Sequence, residues 1–224
     1  MGDPGFCRHR PGSVSLLPTS NWRADITPDL AAQLRAEKHR YFIAAGGGIA
    51  LPVAGAIYWI GLALASNYLD PANWAFIAAV FSGMIFPLGL LLQKPLASPF
   101  MKAKSPLSGA AMLSVASINL LWPVHAVIFN AAPEAAPLTL ALGMTLHWPV
   151  IGWTYGSRVA IVHAFVRAAV VSVLWFALPE GRFDILPLAV AALYLLAAAG
   201  MRWELLRLPR KKDGVIPGSA EAIA

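Results

Sequence analysis

Six apolar blocks, each near 20 residues long and separated by short polar connections, dominate this chain. About 20 helical residues span a ~30 Å hydrocarbon core, and within such a core each segment must satisfy its own backbone polar groups. The pattern therefore predicts an all-α polytopic integral membrane protein built as a six-transmembrane-helix bundle. The blocks cover about 41–65, 73–92, 107–129, 137–155, 159–178 and 185–203. Their connections are short, so neighbouring spans run antiparallel. Charged residues make up 12% of the 224 residues, about half of what soluble domains carry.

The flanks read differently. Residues 1–26 mix Pro, Gly, Ser, Arg and Asp without a period and are expected to form a mobile tail. Thr27-Pro28-Asp29 is a helix-start signal, with a capping hydroxyl, a proline suited to the first turn and an acid at the positive helix end. Leu30 and Leu34 share one face of the following LAAQLRAEKHR. This predicts an amphipathic interfacial helix over 27–40, feeding a transmembrane domain over 41–205. Residues 206–224 form a polar C-terminal tail. The single cysteine, Cys7, has no intrachain partner and follows no apolar run. Phe6 stands where a myristoylation signal needs Ser or Thr, and the first forty residues lack the apolar core of a signal peptide.

The net charge of +6 is distributed by topology. Of 17 Lys and Arg, all but Arg167 and Arg182 fall on one side of the expected bundle. Arg8, Arg10, Arg23, Arg35, Lys38 and Arg40 precede the first span, and Lys94, Lys102 and Lys104 follow the second. Arg158 follows the fourth span, and Arg202, Arg207, Arg210, Lys211 and Lys212 close the chain. The other side holds Asp70, Glu134, Glu180 and Asp184. Basic flanks stay cytoplasmic, so both termini are expected inside, in a bacterial cytoplasmic membrane. This split accounts for the basic charge without nucleic acid.

Arg167 stands near the middle of the fifth block. A central arginine costs about 2.5–3.5 kcal/mol on insertion scales, and no Asp or Glu lies within the blocks to pair with it. His163, four residues earlier, shares its helical face. His147 and Arg167 are each about ten residues from the turn at Gly156-Ser157, so both sit ~14–15 Å from it and share a depth. Pro149 frees the carbonyl of Thr145, a further partner for an arginine or a ligand. His147, His163 and Arg167 thus form a candidate basic cluster for an anion or a polar headgroup. The competing reading is structural, with Arg167 donating to carbonyls freed by prolines or snorkelling. Asn119, ~18 Å into the third block, is at a depth to line the same cluster or to bond a neighbouring helix, and His125, ~27 Å in, lies toward the outer interface.

The triplet Trp-Pro-Val occurs twice, at 122–124 and 148–150, in LLWPVHA and LHWPVIG. The copies lie at different depths, which favours two independent proline kinks over a symmetric pair. Only the second lies where polar residues converge. In the first block, Gly46, Gly47, Gly48 and Pro52 mark either an interrupted, substrate-binding helix or a close helix contact. Enzyme signatures such as GxSxG, HExxH or a paired-aspartate metal site are missing, so neither a catalytic activity nor a cofactor is expected.

Several of these residues resemble a small bacterial family of uncharacterised multi-pass membrane proteins, catalogued only as a domain of unknown function. The resemblance starts at Asp29-Leu30, continues at Tyr58-Trp59 and is strongest over 105–157. That stretch holds Ser105-Pro106-Leu107, Asn119, Pro133-Glu134 and Gly143, then His147, Trp153, Tyr155 and Ser157. Pro149 follows His147 by two residues instead of the family's three, and the long N-terminal tail is atypical. The resemblance implies the topology and draws attention to His147, Trp153 and Tyr155; it implies no activity.

Two functional classes follow. The first is a small-solute carrier or binding protein for an anionic ligand, with Arg167 as charge partner, His163 and His147 as polar support and Asn119 as lining. The second is a non-transporting accessory or lipid-interacting protein in which Arg167 is structural. A membrane enzyme is a third, and it requires a turnover lost on His147→Ala. Membrane lipids are the expected surroundings, and six spans are few for a monomeric carrier, which points to a homodimer.

Overall fold

A computed structural model of the chain describes residues 28–208. Both expected tails, with Cys7 and Thr27, lie outside the described residues. No strand occurs among the described residues. The helices are α1 (Pro28–Ala44), α2 (Ala50–Ala65), α3 (Pro71–Ser82), α4 (Ile85–Leu92), α5 (Ser108–Ile118), α6 (Trp122–Ala131), α7 (Ala136–Gly143), α8 (Trp148–Tyr155), α9 (Arg158–Ala177) and α10 (Ile185–Arg207). Five stretches are long and apolar enough to cross a membrane: 46–65, 108–131, 133–155, 158–177 and 185–207. The pair α3 and α4 makes a sixth if it crosses as one bent unit. These stretches mark a membrane protein.

Four prolines explain why the apolar blocks become pairs of shorter helices. A proline lacks its N–H and crowds the carbonyl four residues earlier. Pro52, Pro87, Pro123 and Pro149 therefore forbid a continuous helix through Gly48, Gly83, Asn119 and Thr145. The chain breaks at each of these points. A 3-10 turn occupies Gly46–Gly48, and Gly83 ends α3. A second 3-10 turn covers Asn119–Leu121, and turns fill 144–147. Each proline then lies in the first turn of the next helix, where its missing N–H costs nothing. The two Trp-Pro-Val triplets accordingly open α6 and α8. No proline lies within α9, and in α10 Pro187 occupies the first turn, so both run unbroken.

Two expected boundaries move. The first span begins at the glycine break, because α1 continues through Tyr41 and Phe42 to Ala44. Both rings are buried against Tyr155, with centroids at 4.9 and 5.5 Å. The second block is bent by 47° at 83–84.

The centre of the bundle is α2 packed on α10, with α10 on α9 and α9 on α8. Alanines make up much of the buried set, so helices approach closely, as dispersion-driven packing in lipid requires. The α5–α6 span is peripheral: only Ala111 and His125 along it are buried. Asp70 caps α3 by accepting from the N–H groups of Ala72 and Asn73, both at 3.0 Å. These bonds hold its carboxyl below the usual carboxylate range.

One end of the bundle gathers the basic connections. Arg40 donates to Glu37 at 2.6 and 2.7 Å and to the carbonyl of Lys104 at 2.7 Å. Ser105 donates to Glu37 at 2.6 Å. The bond from Arg40, then that from Ser105, holds the Glu37 carboxyl at about 2. Lys38 lies 3.7 Å over the ring of Trp153. At the same end Glu204 closes α9: the Ser157 hydroxyl donates to Oε2 at 2.5 Å and the Val159 N–H to Oε1 at 3.1 Å. Ser157 Oγ in turn accepts from the Ala160 N–H at 3.1 Å. Glu204→Ala removes this cap and should cost about 1–2 kcal/mol. Hydrogen exchange at residues 157–160 should rise by the same free energy, and unchanged protection there would refute the capping role.

Candidate functional site

The unbroken helices α9 and α10 and the break before Pro149 meet at Arg167. It lies nine residues into α9, about 14 Å from its start, and is 0% exposed. The Nε–H donates to the hydroxyl of Thr145 at 2.8 Å. Thr145 donates onward to the carbonyl of Ala141 at 2.6 Å. The guanidinium carbon stands 4.6 Å from the ring centroid of Tyr194 on α10, within cation–π range. Nη1 and Nη2 have no hydrogen-bond partner among the described residues, and no carboxylate there pairs with Arg167.

Around the guanidinium lies a layer of rings. His163 is buried one turn before Arg167, 4.6 Å from Trp148 and 5.5 Å from Tyr194 between centroids. Trp148 also meets Tyr194 at 5.7 Å and His147 at 5.7 Å. His163 Nε2, Trp148 Nε1 and His147 Nδ1 are buried nitrogens without a partner among the described residues. Gly55 of α2 makes room for Tyr194, since a Cβ there would come within 3.0 Å of its ring. No three His, Cys, Asp or Glu among the described residues gather to hold a metal. The donor set is therefore an arginine fork, an indole N–H and two imidazoles, a set suited to acceptor atoms.

Three expected residues, Arg167, His163 and His147, are brought into this one layer. Asn119 is not. It is exposed, its Nδ2 donating to the carbonyl of Val115 at 3.0 Å and its Oδ1 accepting from Trp122 at 3.2 Å. Its depth matches, but the α5–α6 span packs on α8, α7 and α3 through other faces. The Thr145 carbonyl is also not the partner of Arg167. It accepts the Trp148 N–H at 3.1 Å, and the hydroxyl serves Arg167 instead.

Trp148 and Tyr194 are the residues that sequence reasoning missed as partners in this layer; Thr145 was expected there through its carbonyl and serves through its hydroxyl. The signal for Thr145 is its place four residues before Pro149, where the helix must open. His125, expected toward the interface, is buried and stacked on Phe129 at 5.7 Å. Trp153 and Tyr155 dock α1 on α8 and do not reach the Arg167 layer.

No curated protein and no solved structure matches the chain. A family model does match, over residues 34–204, from within α1 to the glutamate that caps α9. The chain thus belongs to a family of unknown function (DUF7010), and the Arg167 layer lies inside the part that defines membership.

Proposed function

We propose that this protein binds a small anionic ligand at Arg167 in mid-membrane, as a solute carrier or binding protein, and is not an enzyme. One observation carries the reading: a fully buried guanidinium whose two terminal nitrogens have no protein partner among the described residues. A buried cation left unpaired is costly, and an anion offsets that cost. His163 and His147 supply polar support.

The proposed topology is six crossings, with α3 and α4 crossing as one bent unit and both termini on the cytoplasmic face of a bacterial inner membrane. In support, the contacts of Arg40, Lys38 and Ser157 collect the basic connections at one end. A homodimer is proposed for the carrier form. The exposed α5–α6 span supports it, because Asn119, beyond its bonds to Val115 and Trp122, keeps a second N–H and a second lone pair there at mid-depth.

The test is a thermal-shift screen of detergent-purified protein against carboxylates, phosphates and anionic lipids, with wild type beside Arg167→Ala. A ligand at 100 times its Kd stabilises by about 2.7 kcal/mol. An anion that shifts wild type but not Arg167→Ala supports the site. If no anion shifts wild type, the site is lost as a reading.

A second reading is favoured by the Thr145 bond and the Tyr194 stacking. In it the protein is a non-transporting accessory or lipid-interacting protein, and Arg167 holds α9 and α10 to the turn that follows α7.

A further inference from the structure

We infer that the ligand is a singly charged carboxylate with an apolar or aromatic body, bound end-on by Nη1 and Nη2 of Arg167; this rests on the anion-binding reading above. Four observations narrow the class. First, the Nε edge of the guanidinium is taken by Thr145. The edge that remains carries Nη1 and Nη2 side by side, and this spacing matches the two oxygens of a carboxylate. A ligand arriving there lies in the guanidinium plane, because Tyr194 covers a face.

Second, Arg167 is the only Lys or Arg in the interior of the apolar blocks. One buried positive charge compensates one negative charge. A second charge on the ligand, as on a phosphate dianion, would be desolvated without a partner. Third, the surrounding donor set contains no carboxylate. The ammonium group of an amino acid would find no counter-charge, so a zwitterion is excluded on the same ground. Fourth, the rings of Trp148, His163 and Tyr194 pack on one another beside the guanidinium. They suit an apolar or flat body, and the unpartnered Trp148 N–H can only donate, which again favours an acceptor on the ligand.

Equilibrium binding of radiolabelled benzoate to the detergent-purified full chain tests this, with unlabelled acetate, inorganic phosphate and phenylalanine as competitors. Benzoate should bind saturably and acetate should compete. Phosphate and phenylalanine should compete at least ~10-fold more weakly than benzoate itself. Arg167→Lys keeps the charge but loses the fork and should weaken benzoate by ~10-fold or more. Thr145→Val leaves the charge in place but frees the Nε edge, and should weaken benzoate several-fold. This variant keeps the test open if the lysine variant does not fold. Phosphate binding in preference to benzoate, and dependent on Arg167, would overturn the carboxylate assignment and leave the anion site standing, whereas phenylalanine binding in preference to benzoate would overturn the exclusion of a zwitterion and with it the singly charged class. Benzoate affinity unchanged in both variants would overturn the assignment as well, by placing the binding elsewhere. An absence of binding by every anion would remove both readings together.

Discussion

Replacing Arg167 by methionine should yield a protein at least as stable as wild type, by about 0–3 kcal/mol, that no longer responds to anions. The reason is the balance of terms at the site. The guanidinium is fully buried, holds one hydrogen bond to the uncharged hydroxyl of Thr145 and one ring face, and leaves two nitrogens without a partner among the described residues. A cation–π contact contributes about 0.5–2 kcal/mol, whereas well-packed apolar replacement of buried charges is often neutral or stabilising by ~1–4 kcal/mol. Methionine fills most of the volume and adapts to irregular gaps. Arg167→Ala removes the same charge but empties the space, and should fall about 2–4 kcal/mol below the methionine variant. Unfolding midpoints of the three proteins, measured in one detergent, separate the cases. A methionine variant clearly less stable than wild type would mean that the Thr145 and Tyr194 contacts outweigh the buried charge. The structural, accessory reading would then replace the ligand site.

The second large effect belongs to the glycine break. Gly46→Ala should cost about 2–5 kcal/mol, a large share of the stability of a marginally stable fold. Gly46 has φ +59°, and an added Cβ would lie 2.1 Å from the carbonyl oxygen of Ala97 and 2.8 Å from the Cα of Ser98. Backbone cannot swing aside as a side chain can, so overpacking of ~1–3 kcal/mol adds to a left-handed penalty of ~1–2 kcal/mol. Ser98 stitches the same place, donating to the carbonyl of Ala45 at 3.1 Å and accepting from the Ala50 N–H at 3.4 Å. Gly47 supplies the control. Its φ is +76°, but the nearest atoms to a Cβ are 3.5 Å away. Gly47→Ala should therefore pay the conformational term alone, ~1–2 kcal/mol. Equal losses in the two variants would show that the contact with Ala97 is not what fixes this break.

These two sites divide the reading of Gly46–Gly48 from that of Arg167. By sequence alone the triple glycine fits either an interrupted binding helix or a close contact. The carbonyl of Ala97, which leaves no room for a Cβ on Gly46, and the ring of Tyr155, 2.8 Å from where a Cβ on Gly48 would lie, identify a packing junction at the basic end. The polar residues with unpartnered nitrogens gather instead at the break before Pro149.

What the sequence determined by itself is everything that depends on distance along a helix. Block lengths give the spans. Pro52, Pro123 and Pro149 mark breaks, because the clash always falls four residues back; the same rule at Pro87 accounts for the bend in the second block, which hydropathy alone reads as one continuous span. Depth follows from residue count, so His147, His163 and Arg167 were placed at one level from their distances to Gly156-Ser157. What only the tertiary structure decided is rotation about each helix axis, which no count of residues supplies. Asn119 has the depth of the site and faces away from it. Tyr194, in a block read only as apolar, turns its ring under the guanidinium because Gly55 of α2 leaves it room. Thr145 offers its hydroxyl, since the Trp148 N–H takes its carbonyl once Pro149 has opened the turn. Lipid is equally apolar on every side, so it sets depth strongly and rotation hardly at all. The azimuth of each helix is left to side-chain packing between neighbours distant in sequence.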